Sequence, residues 1–486
     1  MEGNLKKKTV RGMIWSTFQK FGTIIISFVS NMVLARLLTP DDYGCIGLLA
    51  IFITLSSTFI NGGFGSALIQ KKNPSEKDYS TIFYFNILVS CILYLLLFVC
   101  APAISRFYGI EVLSKVLRVE GVIIIISAFG LVQENRLRKK LRFKTLATAY
   151  LISAFLSAIV AIYLAFQGWG VWALVAQQIT MSSCNALLLW FLSDWKPSLV
   201  FSFFSLKELF SFGFFVLLAD IINTVGNNIQ GILIGRVYSA STMGYYTQAH
   251  KLDQVASSSI SSIINQVSYP VLAEAQNDHA SMIRILFRFN SVLAYLTFPV
   301  MLLLILLAKP IILIVYSAKW LQSVPYFQIL CLAGIALCLQ GINYYAIAAI
   351  GESKKLMWWT IVKRLFGLVF VIVGLALSGM YGMLFGMVLS AYFIYFVNSY
   401  LVSKYLGYKL TRQIKDIAPI ILVSLLSFLL SYFSTFFIEC SVYIEGLIRM
   451  VAFLIPFFFF SASLKLNAFV MFRELVFSFL KKNEMH

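Results

Sequence analysis

The stretch YFNILVSCILYLLLFVCAPAI, residues 84–104, contains no charged residue and decides the class of this chain. A bilayer core of about 30 Å is crossed by roughly 20 residues of α-helix, so this stretch is long enough to span it. Lipid offers the backbone no hydrogen-bond partners, and spanning segments must therefore be helices or the strands of a closed barrel. The apolar residues are continuous rather than alternating, which favours a helix.

The rest of the chain has the same character. Of its 486 residues, 60% are hydrophobic and 12% are charged, whereas soluble domains carry about 25% charged residues. This composition excludes a water-soluble protein, and hydropathy predicts about fourteen spans. The predicted spans are residues 12–37, 42–68, 78–104, 112–133, 144–166, 169–193, 208–236, 243–268, 282–308, 323–349, 356–378, 381–403, 416–437 and 443–464.

The net charge of +19 does not indicate a nucleic-acid partner, because most Lys and Arg residues lie in loops on one side of the membrane, the side on which the amino terminus is predicted to lie. This asymmetry follows the positive-inside rule and predicts that both termini are cytoplasmic. The densest basic block, residues 136–144, is interpreted as a topology determinant beside anionic lipid. A docking site for an anionic head group is the alternative. Cysteine and histidine spacing predicts no metal site and no bound cofactor.

Short motifs recur in the same order in the two halves of the chain. Leu34 to Arg36 precede Gly44 as Ile234 to Arg236 precede Gly244, and three further pairs follow with drifting offsets. An even number of spans per half preserves topology, so the halves are expected to be parallel repeats about an axis along the membrane normal.

The predicted fold is therefore all-α, with two six-helix lobes and two extra helices. The predicted domains are a first lobe at residues 1–200, a second lobe at 201–405, and a tail at 406–486. The tail holds the last two spans and a segment, 466–482, that is expected to lie along the inner leaflet.

Polar side chains follow helical spacing on the first, second, seventh and eighth spans, which the repeat relates in pairs. Transporters built from repeats bind substrate between the halves, so these faces are predicted to line a polar passage. The predicted lining residues are Lys20, Asn31, Asn61, Asp220, Asn223, Asn227, Gln230, Lys251, Gln254 and Ser261. The alternative is hydrogen bonding that only holds helices together, or a buried Lys–Asp pair that fixes their packing.

Five motifs resemble the Wzx-type lipopolysaccharide and exopolysaccharide flippases of the multidrug/oligosaccharidyl-lipid/polysaccharide superfamily, and especially the colanic-acid-exporter branch. The motifs are Leu34–Gly44, Gly63–Gln70, Gly168–Leu174, Leu206–Gly213 and Met243–Tyr246. The resemblance extends over essentially the whole chain. It implies a two-lobed fold with a cationic cavity that moves undecaprenyl-pyrophosphate-linked oligosaccharide from the cytoplasmic to the periplasmic leaflet by alternating access.

On this interpretation Lys20 and Lys251 attract the pyrophosphate, while Asn223, Asn227, Gln254 and Ser261 contact sugar hydroxyls. Asn61 and Gln230 stand where relatives often carry acids, so Asp220 and Asp253 become the candidates for ion coupling, with H⁺ and Na⁺ both left open.

The expected partners are the lipid-linked oligosaccharide, membrane lipids, and a polysaccharide polymerase with its chain-length regulator. No phosphate-binding loop or hydrolase motif is present, so an enzyme is not expected. The alternatives are a drug or cation antiporter of the same superfamily and, less favoured because the periplasmic loops are short, a membrane polysaccharide polymerase. A non-transporting assembly scaffold would not require the polar stripes.

Overall fold

The structure is a computed structural model that describes residues 2–276, 278–436, 440–471 and 473. Side chains are described in these ranges except at residues 2–10, 64, 66, 211, 212, 215, 262–267, 269, 270, 353 and 354. Every regular element in the described residues is helical. The expected all-α membrane fold is confirmed.

Contacts divide the chain into two compact units, residues 1–247 and 248–486, with the boundary inside one helix. The first unit contains α1 (Glu2–Leu37), α2 (Pro40–Asn61), α3 (Phe64–Gln70), α4 (Glu76–Tyr108), α5 (Val112–Glu120), α6 (Val122–Lys139), α7 (Phe143–Phe166), α8 (Val171–Leu192) and α9 (Phe203–Val237). Helix α10 (Ala240–Glu274) begins in the first unit and continues into the second.

The second unit continues with α11 (His279–Leu306), α12 (Ala308–Val315), α13 (Ser323–Ala349), α14 (Ser353–Leu406), α15 (Leu410–Phe433) and α16 (Val442–Ser463). Helix α14 is interrupted at Ser378 and Gly379, whose backbone angles are not helical. The interruption coincides with the turn predicted between residues 378 and 381. Most of the predicted surface segment 466–482 lies outside the described residues.

Local sequence explains where several helices begin and end. At α2, Thr39 and Asp42 form a capping box, and Ser75 with Asp78 forms the same motif at α4. Helix α4 ends at Gly109, which adopts a left-handed conformation that glycine tolerates at little cost. These signals fix the helix ends to within a few residues of the boundaries expected from hydropathy.

Ten described helical stretches are long and apolar enough to cross a membrane, and the protein is a multi-pass membrane protein. One of these stretches, residues 355–406, contains two predicted spans because α14 is interrupted. Helices α8, α9 and α10 have 22, 35 and 35 residues, which is also sufficient length for a crossing. The number fourteen stays a prediction.

In the first unit, α1 packs on α7, α7 on α8, and α8 on α6, while α2 and α3 pack on α9. In the second unit, α13 packs on α11 and α14, and α15 packs on α11 and α16. Helix α9, which the predicted division assigns to the second lobe, thus contacts helices of the first unit. The division into lobes at residues 200 and 405 stays a prediction.

Candidate functional site

Helices α2 and α9 of the first unit run antiparallel, and small residues let them approach closely. The contacts that define their register are Gly47 with Gly231, Thr58 with Thr224, Gly62 with Leu217, and Gly63 with Gly213. The hydroxyls of Thr58 and Thr224 are 2.9 Å apart and share a hydrogen bond. Two polar side chains therefore meet across this helix pair.

This register aligns the polar stripes that were predicted separately on the two helices. It puts Asn61 at the level of Asp220, and Thr54 at the level of Asn227. Asn61 and Asn227 are exposed, and Asp220 and Asn223 are partly exposed. The structure therefore brings four predicted lining residues, Asn61, Asp220, Asn223 and Asn227, onto one helix pair.

Gln230 differs from its neighbours on α9 because its side chain is buried, and its amide oxygen has no hydrogen-bond partner in the described part of the chain. A buried amide oxygen without a donor costs free energy. The position is thus suited to packing or to a bound water rather than to open contact with substrate.

The predicted residues of α1 lie on a helix that packs on α7. Gly12 and Gly22 allow this contact, since a Cβ atom on them would lie 2.6 Å from the Phe143 ring and 2.7 Å from the Leu151 side chain. Lys20 is exposed, and Asn31 is partly exposed. Among the described residues Lys20 forms no ion pair with Asp220, so a buried Lys20–Asp220 pair that fixes packing is not present.

The remaining predicted residues belong to the second unit. On α10, Lys251 and Gln254 are exposed and Ser261 is partly exposed, whereas Asp253 is buried. Asp253 packs against α13, where a Cβ atom on Gly334 would lie 2.7 Å from its Oδ1. That oxygen has no hydrogen-bond partner among the described residues. Whether Lys20, Asp220 and Lys251 line one passage stays a prediction.

Three carboxylates of the first unit, those of Glu76, Glu134 and Asp194, pair with cations of the basic block at residues 136–144. Arg136 forms a bidentate ion pair with Glu76 at 2.7 and 2.9 Å, and Arg142 pairs with Asp194 at 2.7 Å. The Lys139 ammonium donates to the carbonyl oxygens of Leu68, at 2.9 Å, and of the two residues Ile69 and Lys71. These contacts favour a structural role over docking of a lipid head group.

Lys71, in the loop after α3, belongs to the same charged surface. Its ammonium lies 2.8 Å from Glu208 and 3.1 Å from Asp78. Partial burial lowers the pKa of Lys71, but the bonds to the two carboxylates outweigh this and raise its pKa above the usual value. The ammonium therefore remains charged at neutral pH.

Two ionisable groups have surroundings that sequence reasoning did not reveal. Glu120, at the end of α5, is 1% exposed. It is absent from the predicted site residues, although a carboxyl at the ninth position of the predicted span 112–133 could have indicated a functional group. Lys363 is 4% exposed, and its ammonium donates to Oδ1 of Asn398 at 2.6 Å.

Known proteins resemble this chain along most of its length. TuaB, a teichuronic acid biosynthesis protein of Bacillus subtilis (strain 168), is 27% identical over 73% of this chain and 74% of its own length. ExoT, a succinoglycan biosynthesis transport protein of Rhizobium meliloti (strain 1021), is 26% identical over 75% and 74%. WzxC, a lipopolysaccharide biosynthesis protein of Escherichia coli (strain K12), is 23% identical over 68% of each chain.

Solved structures share the fold at low sequence identity. The lipid II flippase MurJ, in an inward closed conformation, has a TM-score of 0.75 and 16% identity, covering 96% of this chain and all of that one. An inward-facing MATE multidrug resistance transporter of the MOP superfamily has a TM-score of 0.64 and 15% identity, covering 82% of this chain and 98% of that one.

Residues 33–325, more than half of the chain, match the family described as "Polysaccharide biosynthesis protein". The match includes the paired stripes of α2 and α9 and the charged residues of α10. The resemblance inferred from the motifs is confirmed, and the chain belongs to the polysaccharide biosynthesis protein family.

Proposed function

We propose that this protein is a secondary transporter that flips an undecaprenyl-pyrophosphate-linked oligosaccharide from the cytoplasmic to the periplasmic leaflet of a bacterial inner membrane. Both termini are then cytoplasmic. The family and the transport function named for ExoT support this proposal. A polysaccharide polymerase and its chain-length regulator would receive the flipped product.

The observation that carries the proposal is the alignment of polar residues along α2 and α9. Charged and amide side chains are costly inside a membrane unless they face protein or water, and such residues mark transport pathways. Here Asn61, Asp220 and Asn227 are exposed or partly exposed on two helices that contact each other. A helix pair with only a packing role would bury these groups between the two helices.

The chemistry of the predicted residues suits a sugar linked to a pyrophosphate. Lys20 and Lys251 supply ammonium groups for the pyrophosphate, and the amides of Asn223, Asn227 and Gln254 can donate to and accept from sugar hydroxyls. The hydroxyl of Ser261 adds a further polar contact. The lipid tail stays in the bilayer throughout.

Asp220 and Asp253 are the predicted groups for ion coupling. Asp253 packs beside Gly334 and Met301, and its Oδ1 has no hydrogen-bond partner among the described residues. Its buried carboxyl therefore suits a proton better than a metal cation. Asp220 is partly exposed on α9.

Transport rather than catalysis is confirmed by the family, and a polymerase is thereby disfavoured. A drug or cation antiporter remains the competing function. It predicts that loss of the protein changes drug susceptibility and leaves surface polysaccharide intact.

The direct test is leaflet transfer in proteoliposomes that contain the purified protein and a short undecaprenyl-pyrophosphate-linked oligosaccharide. Transfer is measured by access of an impermeant glycosidase or lectin to the sugar. We expect the double variant Lys20→Ala with Lys251→Ala to reduce the initial rate at least tenfold. The matched control is Lys115→Ala, which removes an exposed lysine near the beginning of α5. This variant should transfer at the wild-type rate.

Equal rates for the double variant and for Lys115→Ala would remove the two lysines from the mechanism. Absence of transfer by the wild-type protein, together with efflux of cationic dyes, would replace the flippase with the antiporter.

A further inference from the structure

Glu120 lies well inside a membrane-spanning segment. It ends α5, and the following helix α6 continues the same candidate span, Val112–Lys139. Eight residues of helix separate it from Val112, a rise of about 12 Å. Its side chain is 1% exposed.

The hydrogen bonds of this carboxyl fit its neutral form. Oε1 accepts a hydrogen bond of 2.8 Å from Nε2 of Gln178 on α8. Oε2 is buried and has no hydrogen-bond partner among the described residues. A carboxylate usually accepts several hydrogen bonds or pairs with a cation when it is buried, because the isolated ion is poorly solvated there. One neutral amide does not meet that requirement.

Cations near Glu120 in sequence are directed elsewhere. Arg118 donates to the carbonyl oxygen of Phe98 at 3.2 Å, and its guanidinium lies 4.4 Å from the centre of the Phe98 ring. Lys115 is exposed. In the described part of the chain no Lys, Arg or His forms an ion pair with Glu120.

The elements packed against α5 are α2, α4, α6 and α8. Helix α4 places the ring of Tyr94 beside Gly121, and α8 contributes the neutral amide of Gln178. The charged residues of α2, Asp41 and Asp42, lie in its first turn, where Asp42 accepts hydrogen bonds from Thr39. These elements also carry other titratable groups. They are Tyr43 and Cys45 on α2; the charged ends of α4 with its Tyr79, Tyr84, Cys91, Cys100 and Tyr108; Glu134, Arg136, Arg138 and Lys139 at the far end of α6; and Cys184 on α8.

We propose that Glu120 is a proton-binding site of the first unit, protonated in this conformation and ionised only when a conformational change gives it water. The surroundings fit a proton better than a metal cation, since the one side chain that bonds to the carboxyl presents a nitrogen donor and hard cations take several oxygen ligands. Proton binding then favours the closed surroundings of Glu120, and proton release favours a state in which they open.

Two adjacent glutamines of α8, Gln177 and Gln178, connect the Glu120 carboxyl to α1. Gln177, next to Gln178, donates to the hydroxyl of Ser30 at 3.0 Å, and Ser30 is buried. Helix α8 therefore links Glu120 on α5 to the helix that carries Lys20. Through this link the protonation of Glu120 couples the proposed transport to a pH gradient, a step that depends on the proposed function.

The protonation state itself can be tested without transport, by infrared spectroscopy of the reconstituted full-length protein. A protonated carboxyl gives a carbonyl stretch that is separate from carboxylate bands and shifts in D₂O. We expect this band at neutral pH in the wild type, and a loss of intensity in Glu120→Gln. The control Glu134→Gln removes an acid that is ion-paired with Arg138 at 2.5 Å and should leave the band unchanged.

A second variant keeps the carboxyl and changes only its donor. Gln178→Leu removes the hydrogen bond to Oε1, so the Glu120 band should persist to a pH at least one unit higher than in the wild type. Equal band intensity in the wild type and in Glu120→Gln, or an unshifted titration in Gln178→Leu, would overturn the assignment. If Glu120→Gln fails to fold, the Gln178→Leu titration decides the question.

Leaflet transfer supplies the coupling test. In Glu120→Gln we expect transfer to continue while its acceleration by an imposed pH gradient falls at least fivefold. An unchanged response to the gradient, in a protein whose infrared band is lost, would show a proton site that is not coupled. Failure of the wild type to transfer substrate would instead count against the proposed function and leave the infrared result standing.

Discussion

The reciprocal contact between the beginnings of α2 and α10 provides the sharpest prediction about the first unit. Gly44 faces the carbonyl group of Ala240, and Gly244 faces the carbonyl group of Pro40. A Cβ atom on Gly44 would overlap the Ala240 oxygen and lie 2.5 Å from its carbonyl carbon. On Gly244 it would overlap the Pro40 oxygen and lie 2.7 Å from its carbonyl carbon.

The expected cost follows from these distances. Ordinary contacts of a Cβ atom begin at 3.4 Å, so each substitution by alanine must separate the added methyl from the facing carbonyl oxygen by about 1.5 Å more than the present spacing allows. Because the obstacle is backbone, no change of rotamer relieves it. Overpacking of this kind costs about 1–3 kcal/mol, so Gly44→Ala and Gly244→Ala should each lower the melting temperature by roughly 1–6 °C.

The double variant tests the geometry more strictly than either single one. A single displacement of α2 from α10 relieves both clashes, so Gly44→Ala with Gly244→Ala should cost clearly less than the sum of the two effects. The control is Gly130→Ala on α6, whose added methyl would meet Ala186 at an ordinary 3.4 Å. The melting temperatures of the four variants and of the wild type are measured in detergent by tryptophan fluorescence.

Two results would refute the reasoning. Equal melting temperatures for Gly44→Ala and Gly130→Ala would show that the close approach is absent. Strict additivity in the double variant would show that the two contacts are not relieved by one movement.

Two further predictions concern other parts of the fold. Glu76→Gln removes the ion pair with Arg136 and should lower the free energy of unfolding by about 0.5–1 kcal/mol. The difference in melting temperature from the wild type should shrink in high salt, and a salt-independent difference would contradict this. Gly379→Ala places a side chain where φ is 59° and ψ is −139°, a strained conformation that costs about 1–3 kcal/mol. Melting at the wild-type temperature would show that α14 does not need this glycine.

Hydropathy and turn signals predicted most helix ends well. The predicted span 323–349 coincides with α13, Ser323–Ala349, and the break in α14 falls between the predicted spans 356–378 and 381–403. Both cases depend on local information, namely continuous apolar sequence and a glycine that can adopt a positive φ. Neither requires knowledge of distant parts of the chain.

The prediction of one continuous span at residues 42–68 was wrong near its end, because the helix is interrupted at residues 62–63. Helix α2 ends at Asn61, and α3 begins only at Phe64. Gly63 has a φ of 76°, and a Cβ atom there would overlap the carbonyl group of Gly213 on α9. The break is therefore fixed by a partner 150 residues away in the chain, which a window of hydropathy does not contain.

The candidate site divides in the same way. Helical spacing alone identified the stripes of α2 and α9, because each stripe is a local pattern. Their common register required the Thr58–Thr224 contact, and the isolation of Glu120 required knowing that Arg118 turns to Phe98 and that Gln178 comes from α8. The sequence shows which ionisable groups enter the membrane, whereas packing decides which of them remain without an opposite charge.

The contacts of Gly44 and Gly244 also give the internal repeat a physical meaning. Pro40 and Gly44 correspond to Ala240 and Gly244 at the offset that relates the two motifs, and each glycine contacts the partner motif at the position equivalent to its own Pro40 or Ala240. Such reciprocity is what a local two-fold relation between the two motifs produces. The small residue at both positions is thus explained by the contact itself. A bulky residue at either one would push the beginnings of α2 and α10 apart and so disturb both contacts at once.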